Sequence, residues 1–482
     1  MAFLIGGANS AADTGFDVAN SCRFNDGDSA YLNKTNGTPT NSKKCTLSMW
    51  FKRCELSDAN NFLFGNWTGT SQYAYLRLQA DDTLFYSAVV DSGTSAQLVT
   101  TQVFRDVSAW YHVVLALDTE QGTAANRAKL YINGTQVTSF STETYPAEDA
   151  TTQFTENLSS GGFQIGSDKD TGSRFYDGYM AEVVVIDGTQ YAASDFGEFD
   201  EDSPTIWKPK DVSGLTFGNN GAYLDFEDSD NLGDDESGNT NDWTENNLAA
   251  ADQATDTPTN SFATLNSLEY SGGGKTFSEG NCKMVMTGVA NFTRSTIGAA
   301  NGKWYCEVKL IAGVRAMYGI SSYESNAASN YLGELGSTTV GYGYGIKGND
   351  GRLYHAGGST ANWVDAVSAD DIVMIAMDLD NYKLYFGNGG TWERSGDPTS
   401  GATGTGAYTI VAPSLNGTGF YHFAFGGNDV NYDYNSEINF GGCSAFTVSS
   451  ANQDGNGYGN FEYAVPSGYL SLCTKNLGSD GG

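Results

Sequence analysis

Apolar residues in this chain come in short bursts that alternate with period two and are cut off by clusters of Gly, Asn, Asp and Ser. That pattern builds half-buried strands and tight turns, and leaves no stretch long enough for a core helix. In Thr46–Lys52, Leu47, Met49 and Phe51 alternate with Ser48, Trp50 and Lys52, which puts Trp50 on the face opposite the core. Strands are likewise predicted at Tyr73–Leu78, Leu84–Val90, Trp110–Leu117, Lys129–Ile132, Gly162–Gly166 and Gly178–Ile186. Asn133-Gly134 between two such runs is the strongest hairpin signal, because a type I′ turn needs positive φ at both central positions.

A chain of 482 residues exceeds one ordinary core, and the strand signals fall into two blocks. The second block has strands predicted at Trp304–Ile311, Met317–Ser321, Tyr342–Lys347, Ile372–Leu379, Tyr382–Phe386, Tyr421–Phe425 and Ile438–Phe440. The expected fold is therefore all-β: two tandem β-sandwiches over residues 21–197 and 261–446. Residues 198–260 are an acidic, Gly/Asn-rich connector in which only Tyr223–Phe226 reads as a strand. That strand and the anchors Trp207 and Trp243 imply that the connector packs on one or both sandwiches. Residues 447–482 read as an extension packed on the second sandwich. Residues 1–20 are read as a docking arm, with a first edge strand as the alternative. The apolar run Ala2–Ile5 is much shorter than a signal sequence requires, so no secretion route is expected from it.

With 57 acidic and 25 basic side chains the formal charge is −32, which argues against nucleic acid and membrane surfaces as partners. Seven cysteines without zinc-type spacing read as mostly free, buried side chains, with one bridged pair as the alternative, Cys45 and Cys54 being the nearest in sequence. Gly272-Gly273-Gly274-Lys275-Thr276 lacks the leading glycine of a phosphate loop. The three histidines, His112, His355 and His422, sit in strand-like or aromatic surroundings and read as structural, so catalysis is not expected. Calcium is the candidate cation: Asp228 with Asp230, and Asp168 with Asp170, have the alternate spacing that lets carboxylates converge, as do Asp429, Asn431 and Asp433. Solvated turns are the competing reading. Rings beside polar groups suit sugar binding, and Trp67, Tyr323, Tyr331, Tyr342, Tyr344 and Trp363, all read as loop aromatics, are the candidate ligand contacts.

Several motifs carry a family resemblance. The segments Leu47–Lys52, Trp110–Val114, Lys129–Gly134, Phe163–Gly166 and Gly178–Ile186 resemble, in that order, laminin-G-like, concanavalin-type jelly rolls. Gly302–Val308, Tyr318–Ile320, Tyr342–Tyr344, Asp371–Val373 with Met377–Asp380, and Ile438–Gly441 resemble a SPRY domain, with Asp370 standing where that family has glycine. Both resemblances imply binding of glycans or proteins, the first often with calcium. The tandem, with Met1–Ser10, Phe24–Asp28 and Asp256–Asn260, is similar to virion proteins of tailed phages of aquatic bacteria. That resemblance implies a virion location, reached by lysis. It also implies docking to other virion proteins through residues 1–20, and a homo-oligomeric, tail-associated appendage binding host surface glycan or protein. A capsid decoration protein and a polysaccharide depolymerase are the alternatives.

Overall fold

The computed structural model describes residues 15–58, 61–69, 71–90, 93–157, 162–168, 174–201, 203–269, 274–322, 331–334, 336–337 and 341–480. Tyr323 and Asp170 lie outside the described residues, as do residues 1–14 of the expected arm and Gly272-Gly273. Two compact units meet in sequence at Thr259 and Asn260, and each is a sandwich of two sheets.

In the first unit, one eight-stranded sheet runs Thr135–Gln136, Ala128–Ile132, Tyr111–Asp118, Lys44–Arg53, Gly178–Asp187, Ser21–Phe24 and Gln253–Ala254, with Ala222–Leu224 also paired to Gly178–Asp187. It is called the covered sheet. The facing eight-stranded sheet runs Phe140–Thr144, Gly93–Val103, Thr83–Val90, Gln72–Leu78, Phe62–Gly69, Phe163–Ile165, Tyr31–Lys34 and Thr244–Asn246, and is called the ring-bearing sheet. Between them Leu47, Met49 and Phe51 meet Leu76, Leu78, Leu98 and Phe163 in one buried core. Each such side chain contributes about 1.5–3 kcal/mol by leaving water. The Asn133-Gly134 hairpin forms as expected, with φ of 46° and 76° and Ile132 paired to Thr135. A Cβ at Gly134 would lie 2.3 Å from the Trp207 ring, so glycine serves both the turn and the close approach.

The covered sheet is apolar on its outer face too. Val114, Ala116, Val184 and Ile186 are buried there under Ala193, Phe196, Val212 and Phe217. The connector expected over 198–260 packs on this sandwich through Trp207 and Trp243, and is corrected only in being part of the unit rather than a segment between two. Residues 198–259 belong to the first unit, adding strands to both sheets and a cover to one. The segment looks too polar to fold because its few large apolar groups, Leu224, Phe226, Leu232 and Trp243, insert singly into a core built by the other strands. Its acids are used as turn caps: Asp235 accepts the backbone N–H groups of Tyr223, Ser237 and Asn241. Asp256 makes a buried 2.7 Å ion pair with Lys52 and accepts the Trp110 indole N–H at 3.0 Å. The arm reading is corrected for residues 15–20, since Val18 is buried against Trp50 and Ala181, and its N–H donates to Thr259 Oγ1.

In the second unit, a nine-stranded sheet has the path Lys275–Ser278, Lys283–Met286, Tyr434–Asn439, Lys303–Ala312, Ile372–Asp378, Lys383–Asn388 and Thr391–Trp392. It faces a seven-stranded sheet with the path Phe292–Arg294, His422–Gly427, Ala316–Ser321, Gly341–Lys347, Arg352–His355 and Gly358–Thr360. Residues beyond 446 cover the outer face of the nine-stranded sheet. Phe461 and Tyr469 pack on Tyr305, Met374 and Tyr385, and Leu470–Ser471 pairs in parallel with Trp304 and Tyr305. Glu307, fully buried, holds this segment by accepting the N–H groups of Glu462 and Tyr463 and the Tyr305 hydroxyl. Asp370, the departure from glycine, sits at φ 71°, where glycine is favoured, so the backbone conformation persists without the residue that suits it. All seven cysteines are buried thiols, Cys45 and Cys54 included. No helix among the described residues is long and apolar enough to cross a membrane.

Candidate functional site

The strand Gln72–Leu78 sends Ala74, Leu76 and Leu78 into the core, so its period-two pleat sends Tyr73, Tyr75 and Arg77 to the outer face of the ring-bearing sheet. Trp67 is paired with Tyr73 across the neighbouring strand, and their rings stack at 4.1 Å and 10°. Tyr75 lies 5.4 Å from Tyr73 with its ring nearly parallel, and meets Phe62 and Phe85 edge-on. The Arg77 guanidinium sits 5.3–5.5 Å from the rings of Phe62, Tyr75 and Phe85. That of Arg174 lies 5.7 Å from Phe62. Trp67, Tyr73, Tyr75 and Arg77 are half-buried, fixed by one another yet reachable from solvent. Burial pushes the Tyr73 hydroxyl above its usual range and Tyr75 adds to this, while the charges of Arg77 and Arg174 pull the other way. The face thus offers apolar rings, phenolic hydroxyls and two cations within one patch of an otherwise strongly acidic protein.

The second unit holds a cleft of about 640 Å³ lined by Asp350, Asn362, Trp363, Asp365, Glu393 and Arg394, among others. Trp363 is its floor, 9% exposed, with the Arg394 guanidinium 4.3 Å from the ring centroid. Behind it a chain of rings runs from Trp363 to Tyr408, Tyr344, His355 and Tyr342.

The expected ligand residues are therefore divided. Trp67 lies on the strand Phe62–Gly69 and belongs to the ring-bearing face, where its neighbours Tyr73, Tyr75, Arg77 and Arg174 are residues that the sequence reading missed. Trp363 lines the cleft. Tyr342 and Tyr344 are in the strand Gly341–Lys347 rather than a loop; Tyr344 is buried with its hydroxyl accepting the Val411 N–H, while Tyr342 is half-buried. Tyr331 packs edge-on against Tyr354 over the seven-stranded sheet. Tyr323 lies outside the described residues.

Of the calcium candidates, Asp168 is described without its expected partner Asp170, which lies outside the described residues. The Asp168 carboxylate is buried and paired at 2.6 Å with Arg174. Asp228 caps its own turn by accepting the Asp230 N–H, and both are exposed. Asp429 does the same for Asn431 and pairs with Arg315. Among the described residues no three His, Cys, Asp or Glu side chains are grouped to hold a metal.

The histidines are structural where the structure resolves their partners. His112 Nδ1 accepts the Trp207 indole N–H at 3.0 Å, so Nε2 carries the proton and donates to Ser48 Oγ at 2.9 Å. Burial pushes its pKa down to about 3 and keeps it neutral. Burial likewise lowers His422 to about 4, with Nδ1 3.0 Å from the Ser295 carbonyl.

Residues 26–193 match the family model described as the concanavalin A-like lectin/glucanases superfamily. That match coincides with the strands forming most of both sheets of the first unit. No curated protein sequence matches the chain. Among solved structures the chain is similar to the SPRY domain of human HERC1, at 10% identity over 38% of this chain and 99% of that one, TM-score 0.28. It is also similar to domains LG4–5 of the mouse laminin α1 chain, at 10% identity over 91% of this chain and 92% of that one, TM-score 0.30. A third, from Bacteroides ovatus and named as a candidate carbohydrate binder, is 18% identical over 48% of this chain and 59% of that one, TM-score 0.33.

Proposed function

We propose that the first sandwich binds carbohydrate, without catalysis, on the outer face of its ring-bearing sheet. The observation that carries this is the cluster of Trp67, Tyr73 and Tyr75 beside Arg77 and Arg174. Sugars pack their C–H surfaces on aromatic groups, and phenolic hydroxyls and guanidiniums bond to ring oxygens and hydroxyls. The Arg77 guanidinium beside the rings, with Arg174 already paired to Asp168, favours sugars bearing carboxylate or sulfate, and makes the binding weaken as salt is raised. The superfamily match over residues 26–193 supports the same reading.

The setting we propose is a virion: a tail-associated appendage recognising host surface glycan, repeated as a homo-oligomer so that weak single-site affinity rises by avidity. The sequence resemblance to tailed-phage virion proteins supports this. A glycan array probed with the full chain, with and without chelator, is expected to give chelator-insensitive binding to acidic glycans, lost in Trp67→Ala combined with Tyr73→Ala. Binding that survives this double substitution would move the site elsewhere. A fall in polysaccharide viscosity on incubation would replace binding by depolymerisation. Antibody labelling on the capsid shell alone would replace the tail setting by capsid decoration.

A further inference from the structure

The cleft of the second unit presents a ring and two carboxylates that its own arginine only half answers. Arg394 covers Trp363, but among the described residues no ion pair reaches either Glu393 or Asp365, although both line the same cleft. Asp350, by contrast, is answered by Lys347 at 2.6 Å and Arg352 at 3.6 Å. Burial raises the pKa of Glu393, a hydrogen bond from the Asp365 backbone N–H lowers it, and the nearby Asp365 carboxylate raises it again, so the two acids lie close together with a backbone donor between them.

The backbone under Arg394 is held in an unfavourable state. Arg394 has φ 60° and ψ 31°, and Ser395 after it has φ 51°, two successive left-handed residues without glycine. Across the cleft Asn362 is also left-handed, at φ 54°. Arginine and serine are disfavoured in this region, whereas asparagine tolerates it, and strain of this kind gathers at binding sites. The Arg394 side chain itself is exposed and fixed by little besides the indole.

We propose that this cleft is a docking site for an arginine side chain of a partner protein, and that Arg394 occupies the cation position on Trp363 until the partner arrives. A planar guanidinium stacks on an indole face as Arg394 already does, and its fork of N–H groups bonds bidentately to a carboxylate. A ligand arginine that displaces Arg394 gains both the ring and Glu393 or Asp365, whereas Arg394 gains the ring alone. The cleft volume of about 640 Å³ accommodates one long side chain with its flanking backbone. This site is independent of the carbohydrate face and stands or falls without it.

The test is titration of the full chain with a blocked pentapeptide carrying one central arginine among glycines. Lysine and citrulline versions and a glucosamine oligomer serve as comparators, followed by calorimetry or saturation-transfer NMR. The arginine peptide is expected to bind, the lysine peptide more weakly, and the citrulline peptide and amino sugar not at all. Arg394→Ala, an exposed position, is expected to tighten arginine-peptide binding about twofold to fivefold by freeing the ring. Glu393→Gln with Asp365→Asn is expected to weaken it about tenfold or more. Weaker binding by Arg394→Ala would make Arg394 a ligand contact and overturn the proposal. Binding of the citrulline peptide or amino sugar as tight as that of the arginine peptide would also overturn it, as would no binding by either wild type or Arg394→Ala.

Discussion

The two sheets of the first sandwich share a core but treat their outer faces in opposite ways. The covered sheet has Trp50, Val114, Val184 and Ile186 on its outside and is roofed by residues that follow its last long strand, with Trp207, Phe196 and Phe217 packed on it. The ring-bearing sheet has Trp67, Tyr73, Tyr75 and Arg77 on its outside, and these stay half-buried. Aliphatic side chains on an outer face gain only by being taken out of water, so the chain supplies a lid. Tyrosines and arginines keep a polar end in solvent and tolerate exposure, which leaves the face free to bind. The difference between the roofed face and the open one lies in side chains, on sheets of the same strand count.

The sharpest way to break this comparison is to detach the roof. Asp256→Ala removes one carboxylate of a buried ion pair with Lys52 together with the acceptor of the Trp110 indole N–H, and a loss of about 3–5 kcal/mol in denaturant unfolding is expected. A loss under about 1 kcal/mol would return residues 198–259 to the status of a connector. Trp207→Ala removes a ring from the covered face and the N–H donor from His112, and about 2–4 kcal/mol is expected to be lost. The edge of the roof also titrates. Glu182 lies buried at a β-bulge, where its carboxyl accepts the Tyr223 hydroxyl at 2.8 Å, and burial pushes its pKa up to about 8. Because the folded value exceeds the unfolded one, the fold holds the proton more tightly. That contribution is full below about pH 4.5 and is lost as pH rises through about 8. Glu182→Gln is therefore expected to flatten the decline in stability between those pH values, on the order of a few kcal/mol, in melts at matched ionic strength. The smallest effect is expected on the open face. Tyr73→Ala is predicted to change stability by about 1 kcal/mol or less, while glycan affinity falls roughly tenfold for a lost ring contact. A large loss of stability there would mean that this face, too, is structural.

Much of this arrangement is legible in the sequence. The alternation of Tyr73, Tyr75 and Arg77 with Ala74, Leu76 and Leu78 already separates a core face from an outer one. In the Tyr111–Asp118 strand Val113, Leu115 and Leu117 face the core while His112, Val114 and Ala116 face the roof, and a run apolar on both faces announces that something must cover it. Trp67 was misplaced as a loop residue because Asn66 and Thr68 flank it, and those polar neighbours are turn signals when read locally. In the fold Asn66 is buried with its amide donating to the carbonyls of Gln153 and Phe154, so the polar residue that suggested a loop is a fastening inside a strand. The Glu393-Arg394-Ser395 corner of the cleft carries no sequence signal, since left-handed backbone at Arg394 is set by the strands on either side of it.

The sequence by itself determined the all-β class, the two blocks of strands and the Asn133-Gly134 turn. These depend on period-two patterning and local backbone preference, which act over a few residues. Only the tertiary structure decided that the acidic stretch after residue 197 completes the first sandwich, that Asp168 answers Arg174, and which rings share a face. Those outcomes join residues far apart in the chain, as Lys52 to Asp256 and Lys34 to the Asn220 carbonyl. Such contacts form only once two sheets have met, so no local window of sequence contains them.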